Sequence, residues 1–375
     1  MPGGLTRFDP TGADAIVSLQ RGSATKDTWV LSAGPTDDSV VLAPTEEPTA
    51  FQRPESTPSR LADNLYWLGR YLERSTQMVR LLDQVDPILR DEISKIDPAV
   101  ARDFLRALLH RQQGSVDEEA SPAELATAIR VAAGNREHAG SLSTGLDQLI
   151  RVLDQVKVNL PPDFWKILRR LRVIASLDSP HAEPDLGQQL ASLEALTNET
   201  LAHDTGWHFL NLGRRIERAR HIVFLADELL LPDPTEGESL AAPSEFRLQT
   251  LLHFTDSLFI YRTLYRSVYQ PASILAWLIG APENPRGLRF QADRIAEHVA
   301  ALPGDLAPRA VSALRATAFR LASSAKLIDP SALADDPAQA QDFFAGSESI
   351  LTEFNDRLTQ IYFSHSDVPE SRREA

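Results

Sequence analysis

The sequence predicts an all-α protein: a multi-helix bundle with an internal pseudo-repeat, preceded by a short β-rich N-terminal segment. Three observations point there. From Ser59 onward, apolar residues recur at helical spacing in one segment after another, bounded by Pro, Gly or a capping Ser. No strand pattern interrupts this body. One helix pattern also occurs twice, as LADNLYWLGRYLERSTQMVRLLD from Leu61 to Asp83 and as WHFLNLGRRIERARHIVFLAD from Trp207 to Asp227. Aligned on LGR, the copies share Leu68/Leu212, Gly69/Gly213, Arg70/Arg214, Glu73/Glu217, Arg74/Arg218, Val79/Val223 and Asp83/Asp227. The expectation is two related helices facing each other across a pseudo-twofold axis, with the glycines marking a close backbone approach.

The first residues differ from the rest. MPGGLTRFDP reads as turn formers, Ala15 to Leu19 and Thr28 to Leu31 as short strands, and Val40 to Leu42 as a third. QRGSATKD forms a loop between the first two strands, ending in Lys26 and Asp27. It is either a phosphate-facing loop or an ordinary hairpin loop, and it is no Walker loop. Pro44 to Pro58 is Pro-rich, without apolar periodicity, and reads as a linker. The predicted organisation is residues 1–43 β-rich, 44–58 linker, 59–365 helical, and 366–375 a charged tail.

Within the body, Ser59 is the expected N-cap of the first helix, and Pro87 is expected to break or bend it. Asp97-Pro98 starts a second helix. Ser121-Pro122-Ala123-Glu124 has the form of a capping box with Pro at the first helical position. The helix that follows is expected to run through Ile129 and bend near Gly134 or Gly140 before Leu146, and Pro161-Pro162 resets the chain. Helices are expected over Asp185 to Leu201 and along the second repeat copy to Pro232. A long helix runs from a Ser244 cap to Tyr265, and a short one begins at Pro271. Pro282 to Arg289 is an irregular turn. Three more helices cover Phe290 to Leu302, Ala307 to Leu327 and Pro337 to Tyr362.

Composition narrows function. The chain has 375 residues, 43% hydrophobic, enough for a substantial core. It has no cysteine, which removes disulfides and thiol chemistry. A net charge of −14 argues against a broad nucleic-acid footprint. There is no basic n-region followed by an apolar run, and no segment apolar enough to span a bilayer. The expectation is a soluble cytoplasmic protein with no membrane partner. The histidines show no metal spacing, and no serine sits in a nucleophile-elbow context.

Two polar constellations stand out. Arg70, Glu73 and Arg74, with Arg214, Glu217 and Arg218, allow three readings: a structural ion-pair network where the helices cross, an anion or acidic-peptide site, or acid/base chemistry. Within the first helix, Glu73 can reach Arg70, flanks the apolar stripe, and leaves Arg70 and Arg74 turned outward. Asp83 and Asp227 fall on the apolar stripes, where a carboxylate needs a partner. Arg262, Arg266, Arg286 and Arg289 are the candidate partners; the alternative is that both stripes have reached the surface there.

SRLADNLYWLGRYLER, GWHFLNLGRRIERA and YRTLYRSVYQPASILAWLIGAPENPRGLRF resemble, in the same order, the bacterial alpha-E domain family of helical proteins. The resemblance runs from Ser59 to about Leu302. The region from Val131 to Leu171 departs from the family pattern, reading AAGNREHAGS where an Arg-Glu-Asn-Ala run is expected, so no role is carried over from that run. PGGLTR followed by SLQRGSATKDTWVL is similar to the C-terminal end of circularly permuted ATP-grasp proteins, which are thought to be amide-forming ligases. That resemblance covers about forty residues and implies a remnant whose nucleotide and magnesium sites lie elsewhere. ATP and Mg are implied only for a complete ATP-grasp domain, with Arg7 and Lys26 near its site, and no cofactor is implied for this chain alone. The chain is then either the C-terminal part of a fused ligase or a frame begun at an internal Met. The alpha-E resemblance implies a neighbourhood as well: alpha-E domains are commonly encoded beside, or fused to, circularly permuted ATP-grasp proteins and transglutaminase-like peptidases, which are the implied partners. The leading functional expectation is a non-catalytic helical partner or scaffold module of an ATP-grasp peptide or amide ligase system, binding an acidic or peptide substrate. The alternatives are an enzyme with an Arg/Glu site between the repeats and a purely structural homo-oligomerisation bundle.

Overall fold

The computed structural model describes residues 3–8, 24–29, 58–89, 120–138, 140–177, 179–180, 183–231, 243, 245–266, 268–304 and 307–363. The chain divides into two units, Met1–Glu55 and Ser56–Ala375. In the first, β1 (Gly3–Phe8) pairs antiparallel with β2 (Ala24–Trp29), Gly3 opposite Trp29 and Phe8 opposite Ala24. This corrects two expectations. Gly3–Phe8 is strand rather than turn, since Leu5, Thr6 and Phe8 favour extended backbone once a partner strand supplies hydrogen bonds. Lys26 and Asp27 lie exposed within β2, not at the end of a loop. Arg7 stands opposite Thr25 in the same ladder. The expected strands Ala15–Leu19 and Val40–Leu42, the helix at Asp97-Pro98, most of the linker, the Ser244 cap and the tail lie outside the described residues.

The second unit contains thirteen α-helices among its described residues. They are α1 (Ser59–Leu89), α2 (Pro122–Gly134), α3 (Leu142–Val156), α4 (Pro162–Ala175), α5 (Leu186–Glu199), α6 (Thr205–Leu230), α7 (Glu245–Phe254), α8 (Leu258–Tyr265), α9 (Pro271–Leu275), α10 (Leu288–Ala300), α11 (Pro308–Leu327), α12 (Pro330–Asp335) and α13 (Pro337–Tyr362). Caps set many of the starts. Ser121 and Glu124 form the expected capping box of α2. Ser141 accepts from the Thr144 N–H at α3, and Asp204 from the Trp207 N–H at α6. At α1 the cap position belongs to Pro58, whose carbonyl accepts from Leu61 and Ala62, so Ser59 is already helical. Pro87 does not end α1, which continues to Leu89. A proline this close to a helix end costs one backbone hydrogen bond.

The helix expected from Ser244 to Tyr265 is broken. Asp256 adopts a left-handed conformation, φ 54°, and the Ser257 N–H reaches back to the Leu252 carbonyl at 2.8 Å. Thr255 bonds its hydroxyl to the Leu251 carbonyl, a local alternative to continued helix, and Asp tolerates the left-handed region. α12 is a short helix without an apolar period to announce it; Asp329 caps it, and Pro330 occupies its first position.

The centre of the body is the packing of α1 on α6, which also contacts α10 and α13, while α1 packs on α3. Leu65, Leu68 and Leu72 of α1 are buried, as are Leu210, Leu212 and Ile216 of α6. Tyr66, off the predicted stripe, is fully buried as well. Equivalent residues of the two sequence copies face each other, so the helices run in the same direction where they cross. At that crossing a Cβ on Gly69 would overlap the Leu210 carbonyl oxygen and lie 3.0 Å from the Arg214 nitrogen. Reciprocally, a Cβ on Gly213 would overlap the Tyr66 carbonyl oxygen and lie 3.1 Å from the Arg70 nitrogen. Backbone meets backbone, and only glycine fits.

Alanine at either glycine must drive the helices apart. Gly69→Ala and Gly213→Ala are each expected to lower unfolding free energy by about 2 kcal/mol or more, against the ~0.5–1 kcal/mol helix-propensity gain. Gly346→Ala in α13, where an added Cβ meets nothing within 4 Å, is the control and is expected to stabilise by that gain. Urea unfolding of the three variants checks the ranking.

Candidate functional site

Four residues after Gly69 and Gly213, the crossing helices present Glu73-Arg74 and Glu217-Arg218. Neighbouring residues on one helix point apart, so neither glutamate can take the arginine beside it. The close crossing places the opposite helix's arginine in reach instead. Arg218 grips Glu73 with two parallel bonds, Nε to Oε1 at 2.7 Å and Nη2 to Oε2 at 2.6 Å. Arg74 does the same to Glu217 through Nε and Nη2, at 2.9 and 3.1 Å. These planar two-point pairs are the strong form of the Arg–carboxylate bond.

A second tier completes the network. Arg70 donates to Glu217 at 2.6 Å and, through Nη1, to the Tyr66 hydroxyl and the Asn355 amide oxygen, both at 2.9 Å. Its sequence equivalent Arg214 turns to α5, pairing with Glu194 and donating to Asn198 at 3.0 Å. Gln77 donates to Glu73 at 3.2 Å, and Arg286 stands 4.0 Å from it. Arg286 and Arg80 both meet Asp256, at 3.2 and 2.8 Å, which is where the break after α7 delivers that carboxylate.

Burial would push Glu73 up, but Arg218, Arg214 and Arg286 override it and hold the carboxyl far below its usual range. Burial likewise opposes Arg70 and Arg74 at Glu217, and the arginines win, holding it at about 2. Burial works against Arg70 and Arg218 too, yet Tyr66 and Glu217 raise the first, and Glu73 and Glu194 the second. Arg215 is pushed down to about 9 by burial and by Arg218 and Arg214, and Arg286 to about 10 by burial, Arg218 and Arg80. Cations therefore outweigh anions around the crossing.

The structure brings Arg70, Glu73, Arg74, Arg214, Glu217, Arg218 and Arg286 together. Two expectations about them are corrected. Glu73 pairs across to α6 rather than along α1 to Arg70, and Arg70 is 3% exposed rather than turned outward. The glycine contact buries positions on both sides of the apolar stripe. Among the described residues, none of the expected arginines pairs with Asp227. Asp83 is exposed, while Asp227 is half-buried, its acid raised by burial. Arg262 donates to the Tyr269 hydroxyl at 2.7 Å, and Arg266 takes a left-handed conformation, φ 51°, at the end of α8. Arg289 donates to the Gly280 carbonyl at 3.0 Å and lies 3.9 Å from Asp293. Sequence reasoning missed Glu194, Asn198, Asn355 and Asp256, which sit outside the repeated motif and carry no pattern of their own. It also missed the contact of His208 with His298, ring nitrogens 3.1 Å apart, beside Trp207. Burial, with His208 and nearby arginines, pushes His298 down to about 3. Among the described residues no group of three or more His, Asp or Glu side chains is arranged to hold a metal ion.

The chain belongs to the Alpha-E family, described as a predicted alpha-helical domain with a conserved ER motif, whose family model matches residues 57–363. The dipeptide Glu-Arg occurs twice in the sequence, at Glu73-Arg74 and Glu217-Arg218. An uncharacterized protein of Mycobacterium tuberculosis (strain ATCC 25618 / H37Rv) is 26% identical over 312 residues, covering 75% of this chain and 34% of its own. An uncharacterized protein of Mycobacterium bovis matches at the same identity and coverage. The chain thus spans about a third of the length of these curated relatives. No solved structure matches it significantly. No helix among the described residues is long and apolar enough to cross a membrane.

Removing one member of a buried pair strands the other. Glu73→Gln leaves Arg218 facing a neutral amide and is expected to cost about 3–5 kcal/mol in urea unfolding. Acid acts the same way. A carboxyl whose folded value lies below its unfolded value contributes stability at neutral pH that is lost as pH falls through the folded value. The Glu217 contribution is therefore complete above about 4.5 and vanishes toward about 2. In Glu217→Gln the slope of stability against pH in that window is expected to flatten.

Proposed function

We propose that this chain is a non-catalytic helical module of an ATP-grasp peptide or amide ligase system, holding the ligase or presenting a peptide to it. The observation that carries the reading is the state of Glu73 and Glu217. Each is buried, each is doubly bonded to an arginine of the other helix, and each is held ionised far below neutral pH. A general acid or base works near the operating pH with a proton to exchange, and neither glutamate meets that requirement. The Glu-Arg motif then serves to fix how two helices meet, and the module acts through its surfaces.

Two further facts support a partner role. The relatives continue for about two-thirds of their length beyond the matched region, as a module working beside other domains would. Along α8 and the turn after it, Phe259, Ile260, Leu264 and Val268 are exposed, an apolar surface of the kind that meets partners. The resemblance of residues 1–43 to an ATP-grasp C-terminus, with the neighbours that the alpha-E resemblance implies, makes the ligase and a transglutaminase-like peptidase the partners to test.

The test is co-purification of the chain with the complete ATP-grasp ligase and with the peptidase. Retention of either at low salt is expected, weakened in Phe259→Asp with the fold intact by circular dichroism. No association at low salt overturns the proposal. So does substrate turnover by the isolated chain that Glu73→Gln abolishes while the variant remains folded.

A further inference from the structure

The ion-pair layer at the crossing opens on one side into a cavity of about 530 Å³ between α1, α6 and α13. Its wall is amphipathic. Met78 and Leu81 of α1, Val223 and Phe224 of α6, and Phe344 of α13 give it apolar surface. Arg74, Glu217, Arg220, Glu348 and Asp227 give it charge. The volume lies within the range of small-molecule sites.

The charges do not cancel evenly. Arg74 spends Nε and Nη2 on Glu217, and Arg220 spends the same two groups on Glu348, Nε at 2.8 Å. In both, the outer Nη1 is not engaged by that glutamate, and both side chains are 32% exposed. Asp227 is different: among the described residues its carboxylate meets no hydrogen-bond donor or cation, and desolvation is the one influence on its acidity. Its sequence equivalent Asp83 lies exposed. A half-buried carboxylate without a partner costs stability, and such costs concentrate where a ligand repays them. Arg220 and Asp227 are seven residues apart on one face of α6, about 10 Å along the axis.

We infer that this cavity binds a short apolar peptide of about three residues. Its terminal ammonium meets Asp227, its terminal carboxylate meets the outer Nη1 groups of Arg74 and Arg220, and its side chains lie on Met78, Leu81, Val223 and Phe224. An extended chain covers about 3.3–3.6 Å per residue, so three residues span the distance between the charged ends. A free amino acid carries both charges on one carbon and cannot reach both ends. Glu217, Asp227 and Glu348 repel a polyanion such as a nucleotide. The assignment rests on the reading of this chain as a peptide-presenting module and gives that module its ligand.

Calorimetric titration of the full chain with the tripeptide Ala-Leu-Ala, its N-acetylated form, its C-amidated form and free leucine tests this. The tripeptide is expected to bind. N-acetylation and C-amidation are each expected to weaken binding at least tenfold, and leucine to bind at least tenfold more weakly. Asp227→Asn is expected to erase the penalty of N-acetylation, and Arg220→Gln to reduce that of C-amidation. The melting temperature of Asp227→Asn is expected to hold or rise, because an unpartnered carboxylate is removed. No binding at millimolar tripeptide overturns the inference, as does indifference to N-acetylation. A melting temperature several degrees lower in Asp227→Asn also overturns it, since the carboxylate would then have a structural partner. If the tripeptide fails to bind while the ligase still co-purifies, the cavity assignment falls and the module reading stands. If the tripeptide binds with the expected end-group penalties and the ligase does not co-purify, the reverse holds.

Discussion

Where Gly69 and Gly213 meet, two helix backbones touch without a side chain between them, and much of the architecture depends on that contact. Backbones so close bring both flanks of each apolar stripe into the interior, which is why Arg70 and Arg218 are buried. Charges in that position need partners, since desolvation of an unmatched ion costs several kcal/mol. Glutamate and arginine adjacent in sequence cannot serve each other. The exchange across the crossing, Glu73 with Arg218 and Glu217 with Arg74, satisfies both helices at once. Glycine and the Glu-Arg dipeptide are thus one device, the first setting the separation and the second filling it.

The two halves are alike at the crossing and diverge around it. Arg70 reaches Asn355 on α13, and Arg214 reaches Asn198 on α5, so an asparagine from a third helix completes each side. On the α5 side Glu194 closes over Arg214 and Arg218, and Arg218 is left almost fully enclosed. On the α13 side its counterpart Arg74 faces a cavity. A near-symmetric ion-pair layer therefore has one sealed flank and one open flank. The sealed flank holds the fold, and the open flank, under the proposal made above, offers a ligand charge already positioned by a rigid support.

Much of this was legible in the sequence. Helical spacing and Pro, Ser and Gly punctuation placed most helices, because amphipathic period and caps are local properties. The repeated L-G-R-x-x-E-R predicted the glycine contact and the cluster of arginines and glutamates. What sequence did not reveal was pairing. The wheel that turned Arg70 outward describes a single helix against one neighbour, whereas α1 packs against α3, α6 and α13. Asp256, in the break between α7 and α8, and Glu194 of α5 enter the network from segments without a shared pattern, and the break at Asp256 arises from competing hydroxyl and backbone bonds that period cannot foretell. Asp83 and Asp227 align in sequence but differ in surroundings, since only the second lines the cavity.

The central claim is that the Glu-Arg motif acts by cross-helix exchange. A double-mutant cycle on Glu73→Gln and Arg218→Met, read by urea unfolding, tests it most directly. Exchange predicts a coupling energy of about 2 kcal/mol or more, with the double variant recovering much of what either single variant loses. Losses that add within about 0.5 kcal/mol would show that the two residues act independently, and would contradict the account.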